Sequence, residues 1–295
     1  MNKNYSLDEY VSIINHYLET SIPDCDFGED IVHNAMKYSL SIGGKRIRPV
    51  LVLEFCRLCG GDINKALPFA AAIEMIHTYS LIHDDLPCMD DDDMRRGMPS
   101  CHKKYGEEYA LLAGDGLLTR AFGIIAESEI AKESPEIAVK AIAELSALAG
   151  SNGMIGGQVV DLRNENKPCS LDVLQTMASL KTGALIRCSA ILGVLSANGN
   201  QNQLIAAKTY ADNLGHAFQI VDDILDVIGD EKELGKPIGS DADSNKSTYV
   251  TILGINKSKE YAEALTQKAI SGLDIFSEEA DFLKNLALSL ISRKN

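Results

Sequence analysis

The sequence lacks any run of about 18 consecutive apolar residues, which argues against a membrane span. It is also short of positive charge. Its 28 Lys plus Arg stand against 42 Asp plus Glu, a formal net charge of −14 over 295 residues. Such a surface repels nucleic-acid phosphates and anionic lipid head groups. No disulfide framework is visible either. The seven cysteines, Cys25, Cys56, Cys59, Cys88, Cys101, Cys169 and Cys188, are odd in number and scattered, as expected in a reducing cytoplasm. Cys56 and Cys59 form a CxxC, but it sits in an apolar stretch that reads as helix and has no second pair, so buried thiols are expected there. The opening residues MNKNYSLDEY are polar and acidic, unlike a signal peptide. Alternating strand patterns are nearly absent, and no repeat, low-complexity tract or Pro/Gly/Ser-rich linker divides the chain.

What is present is helical patterning. Apolar residues recur at helical spacing, as at Leu171, Leu174, Met177, Ala178 and Leu185, or Leu204, Ala207, Ala211 and Leu214. Breaks are expected at Gly43-Gly44, Gly60-Gly61, Ser134-Pro135, Gly156-Gly157, Lys167-Pro168, Asn198-Gly199 and Gly229, giving about ten or more helices. Ser6 and Ser170 are N-cap candidates for helices over Leu7–Leu18 and Leu171–Ser196. With 45% hydrophobic residues, the chain reads as all-α, a single large helical domain over residues 1–295. Glu74–Leu86 and Leu214–Val227 are apolar on all sides yet end in aspartates, the pattern of central bundle helices that carry carboxylates to one end of an apolar cavity.

Those aspartates form two motifs. Asp222, Asp223 and Asp226 stand as DDxxD, and on a helix Asp222 and Asp226 lie about 40° apart and roughly 6 Å along the axis, close enough to share a metal. Crowded carboxylates raise one another's pKa unless a cation intervenes. Magnesium fits, since it takes one or two carboxylates and completes its shell with water and phosphate oxygens. The first motif, His83-Asp84-Asp85-Leu86-Pro87-Cys88-Met89-Asp90, places its third aspartate two residues late. A continuous helix would rotate Asp90 about 240° from Asp84. Pro87 cannot continue a helix interior without losing a hydrogen bond, so a turn at Pro87-Cys88 is expected to bring Asp90 back. Asp91, Asp92 and Asp93 read mainly as solvated charge, and no EF-hand loop is present.

Phosphate chemistry also calls for fixed cations. Gly43-Gly44-Lys45-Arg46-Ile47-Arg48-Pro49 is a glycine turn entering a helix, where free N–H groups and three cations suit a diphosphate. Arg95-Arg96-Gly97 follows the acidic run, Lys181-Thr182-Gly183 lies inside a helix, and Lys236 and Lys246 follow the second motif.

GGKRIRP, HDDLPCMDDDDMRRG, GGQVVD, KTGALI, FQIVDDILD and GKPIGSDADSNKSTY occur in that order. Together, from about Ser41 to Val250, they closely resemble the trans-prenyltransferases (isoprenyl diphosphate synthases), bacterial farnesyl diphosphate synthases in particular. The resemblance implies an all-α bundle around a deep apolar cavity, a homodimer, and three magnesium ions. It implies head-to-tail condensation of isopentenyl diphosphate with an allylic diphosphate, with release of diphosphate. It assigns Asp84, Asp85, Asp90, Asp222 and Asp226 to the magnesium ions bridging the allylic diphosphate. Arg95, Lys181, Lys236 and Lys246 would contact that diphosphate, and Lys45, Arg48, His77 and Arg96 would hold isopentenyl diphosphate. Thr182 and Gln219 would turn oxygens toward the developing allylic cation. Gln158 and Asp161, three apart on one helix face, read as polar lining, and His83 as a hydrogen-bonded helix histidine. The sequence departs from many relatives at Val221, where they carry a second Gln. The basic tail Ser292-Arg293-Lys294-Asn295 could close over isopentenyl diphosphate as tails do in the family, or simply fray.

Helical rise puts Tyr79 about 7.5 Å and Ser80 about 6 Å below Asp84 on the same helix. In the family, an aromatic five residues before the first Asp, together with the Pro-Cys insertion, accompanies a fifteen-carbon product. The competing readings are a geranylgeranyl or geranyl diphosphate synthase, a non-catalytic regulatory subunit, and a plain acidic scaffold. A regulatory subunit typically loses one aspartate motif, and a scaffold leaves the basic set unexplained.

Overall fold

A computed structural model describes residues 4–25, 30–165, 167–228 and 247–292. It is all-α: fifteen α-helices, one π-turn, one 3-10 turn and one two-stranded ribbon are found among the described residues. The chain divides into two compact units, Met1–Ala143 with Leu195–Asn198, and Glu144–Val194 with Gly199–Asn295.

The first unit holds α1 (Leu7–Glu19), α2 (Asp30–Ser41), α3 (Ile47–Leu58), α4 (Ile63–Asp84), α5 (Cys101–Tyr105), α6 (Glu107–Ala126) and α7 (Glu129–Glu133). Ser6 caps α1 in a reciprocal box, its hydroxyl accepting from Glu9 N–H while the Glu9 carboxylate takes the Ser6 N–H at 2.8 Å. α4 is the spine of this unit and packs on α3 and α6. Phe69 through Ile76 are all buried, as the all-round apolar pattern predicts. Two buried ion pairs lie in this unit. Arg46 and Glu74 meet at 2.5 Å with both side chains almost inaccessible, and Glu54 binds Arg57 and accepts from Tyr10 Oη at 2.5 Å. Cys56 is buried and Cys59 partly so, and burial pushes their thiols up to about 11 and about 12.

The second unit includes α9 (Met154–Asn164), α10 (Leu171–Ala178), α11 (Ala184–Ser196), α12 (Gln201–Ile228), α13 (Tyr249–Leu253), α14 (Ile255–Ser271) and α15 (Asp281–Ser292); α8 is Pro135–Ala149. Ser170 caps α10 through Val173 N–H. The helix expected over Leu171–Ser196 is interrupted by a π-turn at Ser179–Gly183. The break expected at Gly156-Gly157 is not there. Both glycines lie inside α9, where the missing Cβ of Gly157 lets α9 approach the π-turn backbone: a Cβ would stand 2.6 Å from Lys181 Cα. Leu174, Ala217, Ile220, Val221, Ile224 and Tyr249 belong to this unit's core. Val221 therefore faces apolar neighbours. Among the described residues, two helical stretches, Glu107–Ala126 and Leu171–Ser196, are long and apolar enough to cross a bilayer by length and composition; two-thirds of the second stretch's apolar window is buried inside the protein.

Candidate active site

In the first unit α4 stops at Asp84, and the chain reverses over Asp85–Asp90. Met89 N–H bonds the Leu86 carbonyl at 2.8 Å, and Asp90 N–H returns to the Asp84 carbonyl at 2.8 Å. Pro87 sits where the ladder ends, so the turn anticipated from its missing N–H is what brings the third aspartate back beside the first. Asp84 is half-buried and Asp90 exposed. Asp85 is different. It is 2% exposed and accepts from Arg95 Nε at 3.0 and 3.3 Å and from Arg95 Nη2. Burial raises its pKa against the pull of Arg95. Asp91, Asp92 and Asp93 are exposed. Asp92 pairs with Arg95 at 3.2 Å and Asp93 with Lys103 at 2.8 Å, while Asp91, Asp93 and His102 bring ligand atoms within 4.8 Å of one another.

The basic residues of this unit are set by strained turns. The ribbon Met94–Arg95/Met98–Pro99 leaves Arg96-Gly97 as a two-residue loop with φ of 52° and 77°, the signs a type I′ turn requires. Arg96 donates to the Gly43 carbonyl, and its guanidinium lies where a Gly44 side chain would be. The GGKR and RRG turns are thereby joined. Of the three cations in the first, Arg46 is turned inward to Glu74, Asn15 and the Leu40 carbonyl, whereas Lys45 stays exposed and Arg48 half-buried. Arg48 Nη1 lies 3.5 Å from His77 Nε2. Loss of water around the imidazole, and then the Arg48 guanidinium, hold His77 well below the usual histidine range. His83 is a hydrogen-bonded helix histidine, 3.1 Å from the Leu111 carbonyl.

One turn before the motif, Tyr79 is 5% exposed and its ring meets that of His83 edge-on at 5.7 Å. Its hydroxyl is buried and has no hydrogen-bond partner among the described residues. Burial and the Asp84 charge raise its pKa. Ser80 is tied to the His77 carbonyl at 2.9 Å.

In the second unit the π-turn carries Lys181 and Thr182. Such bulges turn side chains off the regular helical stripe, and they cluster at functional sites. Lys181 Nζ pairs with Asp161 Oδ2 at 2.5 Å. Thr182 meets Gln219 of α12 at 3.0 Å, an approach helped by Gly215, whose Cβ would stand 2.9 Å from Gly183 Cα. Asp222 is half-buried and Asp226 is 3% exposed. Asp223, absent from the sequence-based candidates, is 4% exposed and binds Gln219 and the start of α13. A cavity of about 160 Å³ is lined by residues that include Asp161, Lys181, Gln219, Asp223 and Thr248. Lys236, Lys246 and the tail residues Arg293, Lys294 and Asn295 lie outside the described residues.

Each motif thus offers hard carboxylate oxygens from a helix end, the donor set magnesium prefers. Cations and neutral donors stand near both motifs. An all-α fold with this equipment is that of an isoprenoid synthase. The polyprenyl synthetase family profile matches residues 29–285, and the chain belongs to that family. It is 48% identical over 226 residues to a farnesyl diphosphate synthase of Geobacillus stearothermophilus, covering 77% of this chain and 76% of that one. It is 41% identical over 300 residues to a geranylgeranyl diphosphate synthase of Cyanophora paradoxa, covering 100% and 99%. Among solved structures, an FPP/GFPP synthase from Zymomonas mobilis superposes with a TM-score of 0.86 at 35% identity, covering 97% of each chain. The protein is a prenyltransferase.

Proposed function

We propose that this prenyltransferase condenses isopentenyl diphosphate with dimethylallyl and then geranyl diphosphate, making farnesyl diphosphate and releasing diphosphate. The observation that carries the fifteen-carbon product is Tyr79, a buried phenol whose hydroxyl has no partner among the described residues, about 7.5 Å down the helix from Asp84. A growing isoprenoid chain that reaches such a ring meets a floor.

In this reading Asp84, Asp85, Asp90, Asp222 and Asp226 serve three magnesium ions, with Asp85 acting largely by holding Arg95. Magnesium, when bound, would neutralise charge on the departing diphosphate. Arg95 and Lys181, with Lys236 and Lys246, stabilise the same charge, and Lys45, Arg48, His77 and Arg96 hold isopentenyl diphosphate. His77, kept neutral, accepts rather than adds to the cations around it. Thr182 and Gln219 face the allylic cation. The double bond of isopentenyl diphosphate then attacks, and a proton is lost to the released diphosphate, so no protein nucleophile is needed. The family profile runs through both units, which supports reading residues 1–295 as one polyprenyl synthetase domain. We further propose a homodimer in the cytoplasm, with no membrane span and no nucleic-acid partner.

A geranylgeranyl product is the second reading, favoured by the full-length similarity to the Cyanophora paradoxa enzyme. Incubation with magnesium, isopentenyl diphosphate and dimethylallyl or geranyl diphosphate, followed by chromatography, decides. Farnesyl diphosphate should dominate, and Tyr79→Ala should lengthen the product. Unchanged chain length in Tyr79→Ala would remove the phenol from any role as floor.

A further inference from the structure

Three hydrogen bonds in the second unit form a chain with a fixed direction. Asp223 Oδ1 accepts from Gln219 Nε2 at 3.0 Å, and its Oδ2 accepts from the Tyr249 backbone N–H at 2.8 Å. Gln219 Oε1 in turn accepts from the Thr182 hydroxyl at 3.0 Å. An ionised carboxylate only accepts, so the Gln219 amide must turn its NH2 to Asp223 and its oxygen to Thr182. Amide oxygen and nitrogen are assigned by such partners, and here the partner leaves one choice. Thr182 then points its single proton at Gln219, and its lone pairs face elsewhere.

The second anchor is equally constrained. Tyr249 is the first residue of α13, and first-turn N–H groups have no partner inside their helix. Thr248 caps Thr251 N–H, which leaves Tyr249 N–H to Asp223. Two N–H donors offset the cost of burying that carboxylate. Asp222 next to it stays half-buried, so adjacent aspartates of one DDxxD have different surroundings.

We propose that Asp223 is a positioning residue for prenyl transfer: by accepting from Gln219 it sets the polarity of the relay, so that Thr182 offers oxygen lone pairs, not a hydroxyl proton, to the electron-poor allylic carbon. The inference rests on the roles of Thr182 and Gln219 proposed above. Fixed dipoles aimed at developing charge lower the barrier, and the same dipole reversed raises it. Asp223→Asn keeps the shape but removes the constraint, because an amide can donate to Gln219 and let it flip.

The test uses the purified full chain with magnesium, isopentenyl diphosphate and geranyl diphosphate. Asp223→Asn should lower kcat roughly 100- to 1,000-fold, the size of loss that follows removal of one preorganised hydrogen-bond group aimed at developing charge. Both KM values and the half-saturating magnesium concentration should stay within about threefold, because no uniform binding is removed. Thr182→Val should lose kcat similarly, and adding Asp223→Asn to it should cost nothing further, since both act through one hydroxyl. Multiplicative losses, or a raised magnesium requirement in Asp223→Asn, would overturn the relay. If Asp223→Asn does not fold by circular dichroism, Gln219→Glu answers instead: it is isosteric but has no N–H for Asp223, and a wild-type kcat in it overturns the proposal. An inactive wild-type chain in the same assay sinks the prenyl-transfer reading, and the relay with it, which is a different result from an active enzyme with additive variants.

Discussion

His77 shows how a single side chain reports on its charged neighbourhood. With water removed and the Arg48 guanidinium beside it, its folded pKa lies well below the unfolded value of 6.5. As pH falls from about 6.5 toward the folded value, the unfolded chain takes up a proton that the folded chain refuses, so stability drops with falling pH. Above about pH 6.5 both states are neutral and the contribution is full. His77→Gln should therefore flatten part of the acid limb of a urea-denaturation profile between pH 6.5 and 5, a difference read directly from paired titrations. An unchanged slope would mean that the ring is protonated in the folded protein. The arginine environment of this ring was not legible in the sequence. GGKRIRP announces three cations, but that Arg46 turns inward to Glu74 while Arg48 reaches His77 depends on partners 28 and 29 residues away. Asp223 is the same case. Helical spacing puts Asp222 and Asp226 on one face and leaves the middle aspartate without a role, whereas its contacts with Gln219 and with the Tyr249 N–H, the latter far off in sequence, give it one.

At the scale of elements, the helices were readable wherever one local signal decided the outcome. Ser6 and Ser170 start helices as their hydroxyls require, and Pro87 ends α4 because it lacks an N–H. Gly156-Gly157 misled because glycine signals either a break or a close approach, and here the approach prevails. The π-turn at Ser179–Gly183 has no sequence signature of its own, since Lys-Thr-Gly would also sit in a regular helix. Gly157 and the π-turn form one device: the missing side chain lets α9 bring Asp161 to Lys181. Gly157→Ala places a methyl group 2.6 Å from Lys181 Cα and 2.7 Å from the Leu180 carbonyl carbon, and backbone cannot yield as a side-chain tip does. A cost of about 1–3 kcal/mol in stability is expected from overpacking of this kind. The shift should also move Lys181 and Thr182, so kcat should fall at least about tenfold, given how steeply rate depends on sub-ångström placement. Urea melts and steady-state kinetics on the same preparation check both, and a folded variant with normal kcat would show that the π-turn tolerates displacement.

For the molecule as a whole, the decisive quantity is negative charge. A chain of net charge −14 that binds anionic diphosphates must gain affinity from cations, and its fixed ones are partly committed to internal pairs such as Arg46–Glu74 and Lys181–Asp161. Magnesium alone should bind the carboxylates weakly, because it holds its waters and uses only one or two carboxylates per ion. Diphosphate alone should be repelled. Together they complete each other's coordination, so the two ligands should stabilise the fold synergistically. At about 100 times the apparent Kd, mass action gives about 2.7 kcal/mol, which for a chain of this size raises Tm by about 4 °C. Magnesium or diphosphate alone should give a small fraction of that. Thermal melts with each ligand and with both measure the synergy without any turnover. Asp84→Ala and Asp222→Ala should each abolish it and reduce turnover to near background, whereas Asp91→Ala, at an exposed position beside the first motif, should retain it. Synergy that survives both Asp84→Ala and Asp222→Ala would place the metal-held diphosphate elsewhere and remove the chemical reason for two aspartate motifs.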